Sequence, residues 1–330
     1  MAYTGKQSFV LVGEESTYNT AVTTNKDLGV ITSVDASLNN NPIDIDSIGR
    51  RQASDILAGS FDGSLSFNGV VNSGAILEMF FGQCTETNSS TDYRHIFVDK
   101  NATFTTALPV PNDIKSYTIS TNHDGSSDTV FTYSGGKVNT LNIGLEYGGA
   151  LTFDSEVIIG NVTTSTTLGT QVTTTTVPLT FSEGTVKTGD EGSETQKCPI
   201  SNFNLSMNNN IDTNDIRCIG NRKPIDLLPK KLELTGDFTA RFGSKDEAER
   251  FIGGSTIGTG TPTDTGIVFE VTNGVAYGSG NVSLYIKLLG CQYESLGRNF
   301  SQDGIIEESF SFRATEIDAI YFTDGVSSYF

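Results

Sequence analysis

Few residues in this chain have types and spacings that could do chemistry. Histidine occurs twice, at His95 and His123. Neither stands in an H-E-x-x-H pattern and neither is expected to have a cysteine ligand nearby, so the spacing predicts no zinc site and no general base. The four cysteines, Cys84, Cys198, Cys218 and Cys291, form no C-x-x-C pair. A chain of 330 residues needs no staples, so most are expected to be buried thiols. Two acidic runs, DIDS (44–47) and DTND (212–215), offer oxygen ligands of the kind calcium takes, but neither has EF-hand spacing. A solvated turn is the plainer expectation for both. The glycine-rich GSTIGTGTPTDTG (254–266) follows a predicted helix and precedes a strand, the wrong context for a phosphate cradle, and reads as a loop. There is no nucleophile elbow, and no carboxylate pair stands out for glycoside hydrolysis. The chain reads as non-enzymatic, with no metal and no cofactor expected.

Composition narrows the classes further. Asp and Glu total 39 against 21 Lys and Arg, a formal net charge of −18. Nucleic-acid binders carry the opposite balance, because their affinity comes from neutralising phosphates and releasing counterions. The acidic excess argues against a surface that grips a duplex and is compatible with one that keeps off it. Gly is abundant at 35, Pro scarce at 8 and Trp absent. With Thr, Ser and Asn filling much of the rest, that mix favours strands and turns. The apolar run FVLV (9–12) is too short for a signal-peptide core, and no stretch approaches a membrane span. A soluble protein made in the cytoplasm is expected.

What the chain does carry is a passage written twice. SLNNNPIDIDSIGRR (37–51) is echoed by SMNNNIDTNDIRCIGNR (206–222). Asn39, Asn40 and Asn41 align with Asn208, Asn209 and Asn210; Ile48-Gly49 aligns with Ile219-Gly220, and Arg51 with Arg222. Farther on, FDGSLSF (61–67) meets LTGDFTA (234–240), LEMFFG (77–82) meets AERFIGG (248–254), and IFVDKN (96–101) meets VFEVTN (268–273). The order is kept and the offset stays between 169 and 173, which low-complexity text rarely achieves by chance. Two tandem domains follow, 1–167 and 168–330. The seam falls in the Thr-rich NVTTSTTLGTQVTTTT (161–176), where a short loop is expected to lead into a strand, VTTTTVPLTF.

The elements of each copy can be placed in outline. SFVLV and GVITSVDASL open the first copy as strands. Phe61, Gly63, Leu65 and Phe67 then share one face of a strand, as do Leu232, Leu234, Gly236, Phe238, Ala240 and Phe242 in the second copy. Such period-two alternation predicts a sheet with one buried and one solvated face. One short helix follows in each copy. NSGAILEMFFGQ offers Asn72 or Ser73 as cap and Gly82 as stop; SKDEAERFIGG offers a Ser244/Glu247 capping box and Gly253. Helices this short do not persist alone, so Ile76, Leu77, Phe80 and Phe81, or Ala248, Phe251 and Ile252, must pin them. SYTIS…NHDGSSDTVFTYS and LNIGLEYGGALTFDSEVII read as hairpins, and the second copy lacks one hairpin. The predicted fold is mainly β, two tandem β-sandwich or barrel domains each with one flanking helix.

Each repeated passage is bipolar. Asp44 and Asp46 precede Arg50 and Arg51; Asp212 and Asp215 precede Arg222 and Lys223. A loop of this kind can dock on the equivalent loop of a neighbour in a head-to-tail array. These residues, with the two asparagine triplets, are the candidate contact residues.

VGEESTYNTA (12–21), LGVITSVDASLNNN (28–41), GSLSF (63–67), the short helix and GGKVNTLNIGLEYGGALTFDSEV (135–157) resemble the tail tube proteins of tailed viruses. That resemblance covers much of the first copy and, through the repeat, most of the second. It implies tube-like domains that join strands around a ring into a continuous inner barrel, with rings stacked into a hollow tube. Six domains per ring and two per chain imply a trimer with pseudo-sixfold symmetry. The partners implied are the chain itself and other tail proteins at the tube ends, with DNA passing through without specific binding. The implied place is the virion tail, assembled in the host cytoplasm, and the repeated passage becomes an arm bridging ring to ring. A hub or distal tail ring is the nearest alternative. A secreted surface adhesin would need an export signal and exposed aromatics for glycans.

Overall fold

The structure, a computed structural model, describes residues 5–100, 107–173, 175–196, 200–214, 216–257, 264–300, 302 and 304–330. In chain order the strands are β1 (Ser8–Glu14), β2 (Val30–Asn39), β3 (Ile43–Ile45), β4 (Asp55–Leu57), β5 (Asp62–Val70), β6 (Thr85–Ser89), β7 (Asp92–Asp99), β8 (Tyr117–His123), β9 (Thr129–Glu146), β10 (Thr152–Ile159) and β11 (Asn161–Ser165). They continue as β12 (Gly184–Gly189), β13 (Thr195–Gln196), β14 (Ile200–Asn208), β15 (Glu233–Arg241), β16 (Thr265–Thr272), β17 (Ser283–Asn299), β18 (Glu307–Ala314) and β19 (Glu316–Asp324). Two helices, α1 (Ala75–Phe81) and α2 (Asp246–Ile252), each follow an alternating strand.

One antiparallel sheet spans the molecule in the order β2-β5-β10-β9-β14-β15-β18-β17. The long strands β9 and β17 each leave it halfway. The first half of β9 pairs with β8 and β11, and β8 with β1. The first half of β17 pairs with β16 and β19, extended by β12 and β13 on one side and by β7 and β6 on the other. One contiguous apolar core lies behind the spanning sheet, with Leu65, Phe67, Leu141 and Ile143 in it beside Phe203, Leu205, Phe238 and Phe312. It gathers side chains that, once buried, contribute about 1.5–3 kcal/mol each.

The two ends of the spanning sheet repeat each other. Val34 opposes Phe67 as Phe203 opposes Phe238, and the pairing slips between Ile31 and Ser33 as it does between Ile200 and Asn202. On the other flank the slip between Glu156 and Val157 on β10 is matched by one between Tyr293 and Ser295 on β17. The β6–β7 hairpin extends the sheet of β17 and β19, and between α2 and β16 the described residues form no hairpin.

The alternation of β5 and β15 holds: Gly63, Leu65 and Phe67, and Leu234 and Phe238, point inward, because only that face meets the core. Helix α1 is buried throughout, with Ile76, Leu77, Phe80 and Phe81 in the core, and stops at Gly82 in the left-handed conformation. Its N-cap is Gly74; Ser73 Oγ accepts the Ala75 N–H at 3.2 Å, while Asn72 accepts from Val30. The capping box expected for α2 does not form. Glu247 instead accepts from Tyr293 at 2.6 Å and from Thr188 at 3.0 Å, partners that desolvation makes stronger than a solvated cap. Ala248, Phe251 and Ile252 are only half-buried, and Gly253 ends the helix as expected.

The described residues of VTTTTVPLTF form no strand. They carry a single bridge, Ala150 to Thr180, while the preceding NVTTS forms β11. Alternating Thr needs an open edge to pair with, and both neighbours of β10 are already taken. Of the cysteines, Cys291 is buried, Cys84 half-buried and Cys218 exposed, against the expectation of buried thiols; Cys198 lies outside the described residues.

A carboxylate ties the halves of the sequence together. Asp92 is buried at the β6–β7 turn and accepts from the backbone N–H groups of Gly278 (2.7 Å), Ser279 (3.1 Å), Gly280 (2.9 Å) and Asn281 (2.8 Å). Burial alone would raise its pKa. The donors of Asn281, Thr91, Gly278 and Gly280 outweigh burial and hold it below the ordinary carboxylate value. Asp92→Ala is expected to destabilise the fold by about 3 kcal/mol, since several charge-assisted bonds vanish and their N–H groups lose their partner. Urea unfolding measures this. Because the folded carboxyl titrates below its unfolded value, the contribution is complete above roughly pH 4 and fades as pH falls through the folded pKa. The variant should lose that acid-side slope.

Candidate functional site

The surfaces that could act lie on the spanning sheet and on two arms. The outward face of the sheet is polar from end to end. Side chains alternate, so the strands that bury Leu, Ile and Phe present Asp35, Asn68, Asn142, Asp154, Glu156, Asn204, Asp237 and Glu307 on the opposite side. Asn142 donates to Asp154 at 3.1 Å and Asn204 donates to Asp237 at 3.1 Å, which fixes both carboxylates in place. Arg313 is paired with Glu294 at 3.0 Å. The middle of this face is a trough of about 690 Å³. It offers carboxylates, amides and hydroxyls, with little positive charge to hold a phosphate.

The repeated passages leave the sheet as arms. Asn39 and Asn208 each end a strand and each accept the backbone N–H two residues on, at 2.9 Å from Asn41 and 2.7 Å from Asn210. Both Asn41 and Asn210 have positive φ, 41° and 50°, which asparagine tolerates and which turns each arm off the sheet. At the tips, Ile48 and Ile219 are fully exposed, each followed by a left-handed glycine, Gly49 and Gly220. The first arm is a small hairpin of β3 and β4, exposed along its length, including Asp44, Asp46, Ile56 and Leu57; Arg50 and Arg51 stand exposed beyond it.

The second arm is docked on the root of the first. Arg222 donates from Nε to the Gly59 carbonyl at 2.7 Å and from Nη2 to Asn40 Oδ1 at 2.9 Å, while the Phe61 N–H donates to the Arg222 carbonyl at 2.8 Å. Arg217 binds the Asp62 carboxylate and the Phe61 carbonyl; Asn41 also donates to Asp62. Asn209 is buried and donates to the carbonyls of Val138 and Phe80. Asp212 pairs with Lys230 at 3.2 Å, Lys223 is on the exposed turn, and Asp215 lies outside the described residues. Of the predicted contact residues, then, Asn40, Asn41 and Arg222 meet. Arg217 and Asp62 escape sequence reasoning because Arg217 has no arginine at the matching place in the first arm, where Asp46 stands.

The histidines need one correction. His95 has a cysteine beside it after all: Cys84 Sγ lies 3.7 Å from Nδ1, with Glu86 at 3.8 Å, because β6 and β7 pair across a tight turn. The three could hold a metal ion by spacing, their ligand atoms lying within 4.8 Å of one another. The ring's other side faces inward, Nε2 lying 2.9 Å from the Val326 carbonyl and 3.3 Å from Asp324, and the Tyr329 ring lies tilted against it with centroids 4.1 Å apart. Burial pushes the Cys84 thiol well above its usual range, which suppresses the thiolate a nucleophile needs, and pushes Glu78 beneath it up to about 7. The His95 contacts tie residues Asp324, Val326 and Tyr329 to β7. His123 ends β8, with Ser8 Oγ 2.8 Å from its ring.

No helix among the described residues is long and apolar enough to cross a membrane. A search of curated proteins gives no match. The family model for phage tail tube proteins matches residues 5–314, the spanning sheet and both arms included. On that match, the chain belongs to the phage tail tube protein family.

Proposed function

We propose that the chain holds two copies of one tube domain, that three chains close a pseudo-sixfold ring, and that rings stack through the arms into a tube that DNA traverses without specific binding. The observation that carries this reading is the β9–β14 pairing inside the chain. It joins the last sheet strand of the first half to the first sheet strand of the second half, head to tail. In the spanning sheet, the strands in the same positions at the two ends, the second half of β17 and β2, have one neighbour each among the described residues, β18 and β5. A heterologous contact that repeats by rotation closes a ring, and closure removes both edges. The polar face would then line the bore, where fixed carboxylates repel a duplex from all sides. The exposed isoleucines at the arm tips would meet the next ring.

The experiment is negative-stain microscopy with sedimentation across protein and salt concentration. Particles of three chains and stacked rods are expected. Monodisperse monomers under every condition would refute the reading. The hub alternative predicts single rings that never stack.

A further inference from the structure

We infer that the ring closes through a junction different from the one inside the chain, in which Phe300 of one chain fills the groove beside β2 of the next. This rests on the ring-closure reading above. Within the chain, Leu141, Ile143 and Leu145 of β9 oppose Met207, Leu205 and Phe203 of β14, and all six are buried. The matched slips on β9/β10 and β17/β18 carry Leu141, Ile143 and Leu145 onto Leu296, Arg298 and Phe300. The matched slips on β2/β5 and β14/β15 carry Met207, Leu205 and Phe203 onto Leu38, Ala36 and Val34. At the closing junction, Leu296 therefore opposes Leu38 of the neighbouring copy, Arg298 opposes Ala36, and Phe300 opposes Val34.

The sizes trade across the pair. Where Leu145 meets Phe203 inside the chain, the larger Phe300 meets the smaller Val34. Where Ile143 meets Leu205, the longer Arg298 meets Ala36. Arg298 is already held by Glu308, with Nε at 2.8 Å, and lies over the Phe242 ring at 4.8 Å. Phe300 is 72% exposed and Leu38 45% exposed, whereas their counterparts Leu145 and Met207 are buried. The groove confirms the vacancy. Beside β2 it measures about 830 Å³ and is lined by Phe9, Val10, Val34, Leu38, Phe131 and Tyr133. At the corresponding place beside β14, where Leu145 and Tyr147 already sit, about 140 Å³ remains. Tyr147 there packs edge-on against Phe181 at 5.0 Å.

Inside each chain β9 and β14 already pair with each other, so β17 and β2 are the edges left to join neighbouring chains, and the two junctions alternate around the ring. The side-chain sizes at the closing junction must still match, since well-packed cores penalise both voids and overfilling.

A double-mutant cycle tests this. Phe300→Leu and Val34→Phe should each raise the concentration for half-assembly by about tenfold or more. The double variant, which rebuilds the pairing found inside the chain, should return to within about threefold of the parent. Phe300→Ala, at an exposed position, guards against a Val34→Phe that misfolds: it should leave the monomer's thermal midpoint unchanged and still lose assembly. In parallel, Leu296→Cys with Leu38→Cys, in a Cys218→Ser background, should crosslink neighbouring chains under mild oxidation. Crosslinking with purely additive effects in the cycle, or normal assembly of Phe300→Ala, overturns the groove assignment and leaves ring closure standing. Absence of both crosslinks and rings overturns ring closure itself.

Discussion

Leu38→Lys should yield a folded monomer that no longer closes into rings. Leu38 sits on the edge strand β2, half in solvent, so a lysine there changes monomer stability by no more than about 0.5 kcal/mol. Edge lysines are a common device against strand addition, because pairing would bury the ammonium. Its counterpart Met207, covered by β9, shows how deeply a neighbour buries this position. Burying an unpaired ammonium costs several kcal/mol, partly relieved by the length of the side chain. At about 3 kcal/mol per junction, assembly should require more than a hundredfold higher concentration, and a ring meets that penalty at three junctions at once. Sedimentation velocity reads the loss, and circular dichroism confirms the fold. Rings formed by this variant at the parent concentration would show that β2 is not the closing edge.

Deleting residues 43–57 should separate ring formation from stacking. The excised hairpin is β3, β4 and the tip around Ile48, where Ile43, Ile45, Ile48, Ile56 and Leu57 are all exposed. Monomers seldom leave such an apolar patch open unless it meets a partner, and covering it is worth on the order of 5 kcal/mol per arm. The deletion spares Asn40, Asn41, Gly59, Phe61 and Asp62, which receive Arg217 and Arg222, so the root of the arm and the fold remain. Micrographs should show rings of normal diameter and no rods longer than one ring. Long tubes from the deleted protein would remove the stacking role from this arm.

Much of this architecture was legible beforehand. The faces of β5 and β15, the stops at Gly82 and Gly253 and the two hairpins around β9 rest on alternation and turn residues, which act over a few positions. The repeated asparagine passage was legible for the same reason, since each copy builds its own Asn turn. The failures share a different cause. Ser244 and Glu247 have the spacing of a cap, yet Tyr293 and Thr188 claim the carboxylate from strands far along the chain. The threonine run has the propensity of a strand, yet its described residues make a single bridge, Thr180 to Ala150.

Local chemistry determined the β-rich class, the acidic balance, the two short helices and the asparagine turn at the root of each arm. The tertiary structure alone decided that β9 would cross between two sheets and pair with β14, that Asp92 would meet four N–H groups from residues 278–281, and that Cys84 would face His95. A strand's hydrogen bonds are satisfied equally well by any open edge. The choice among edges is made by burying a whole apolar face at once, and that sum is taken over residues far apart in the sequence, such as Leu141 and Met207.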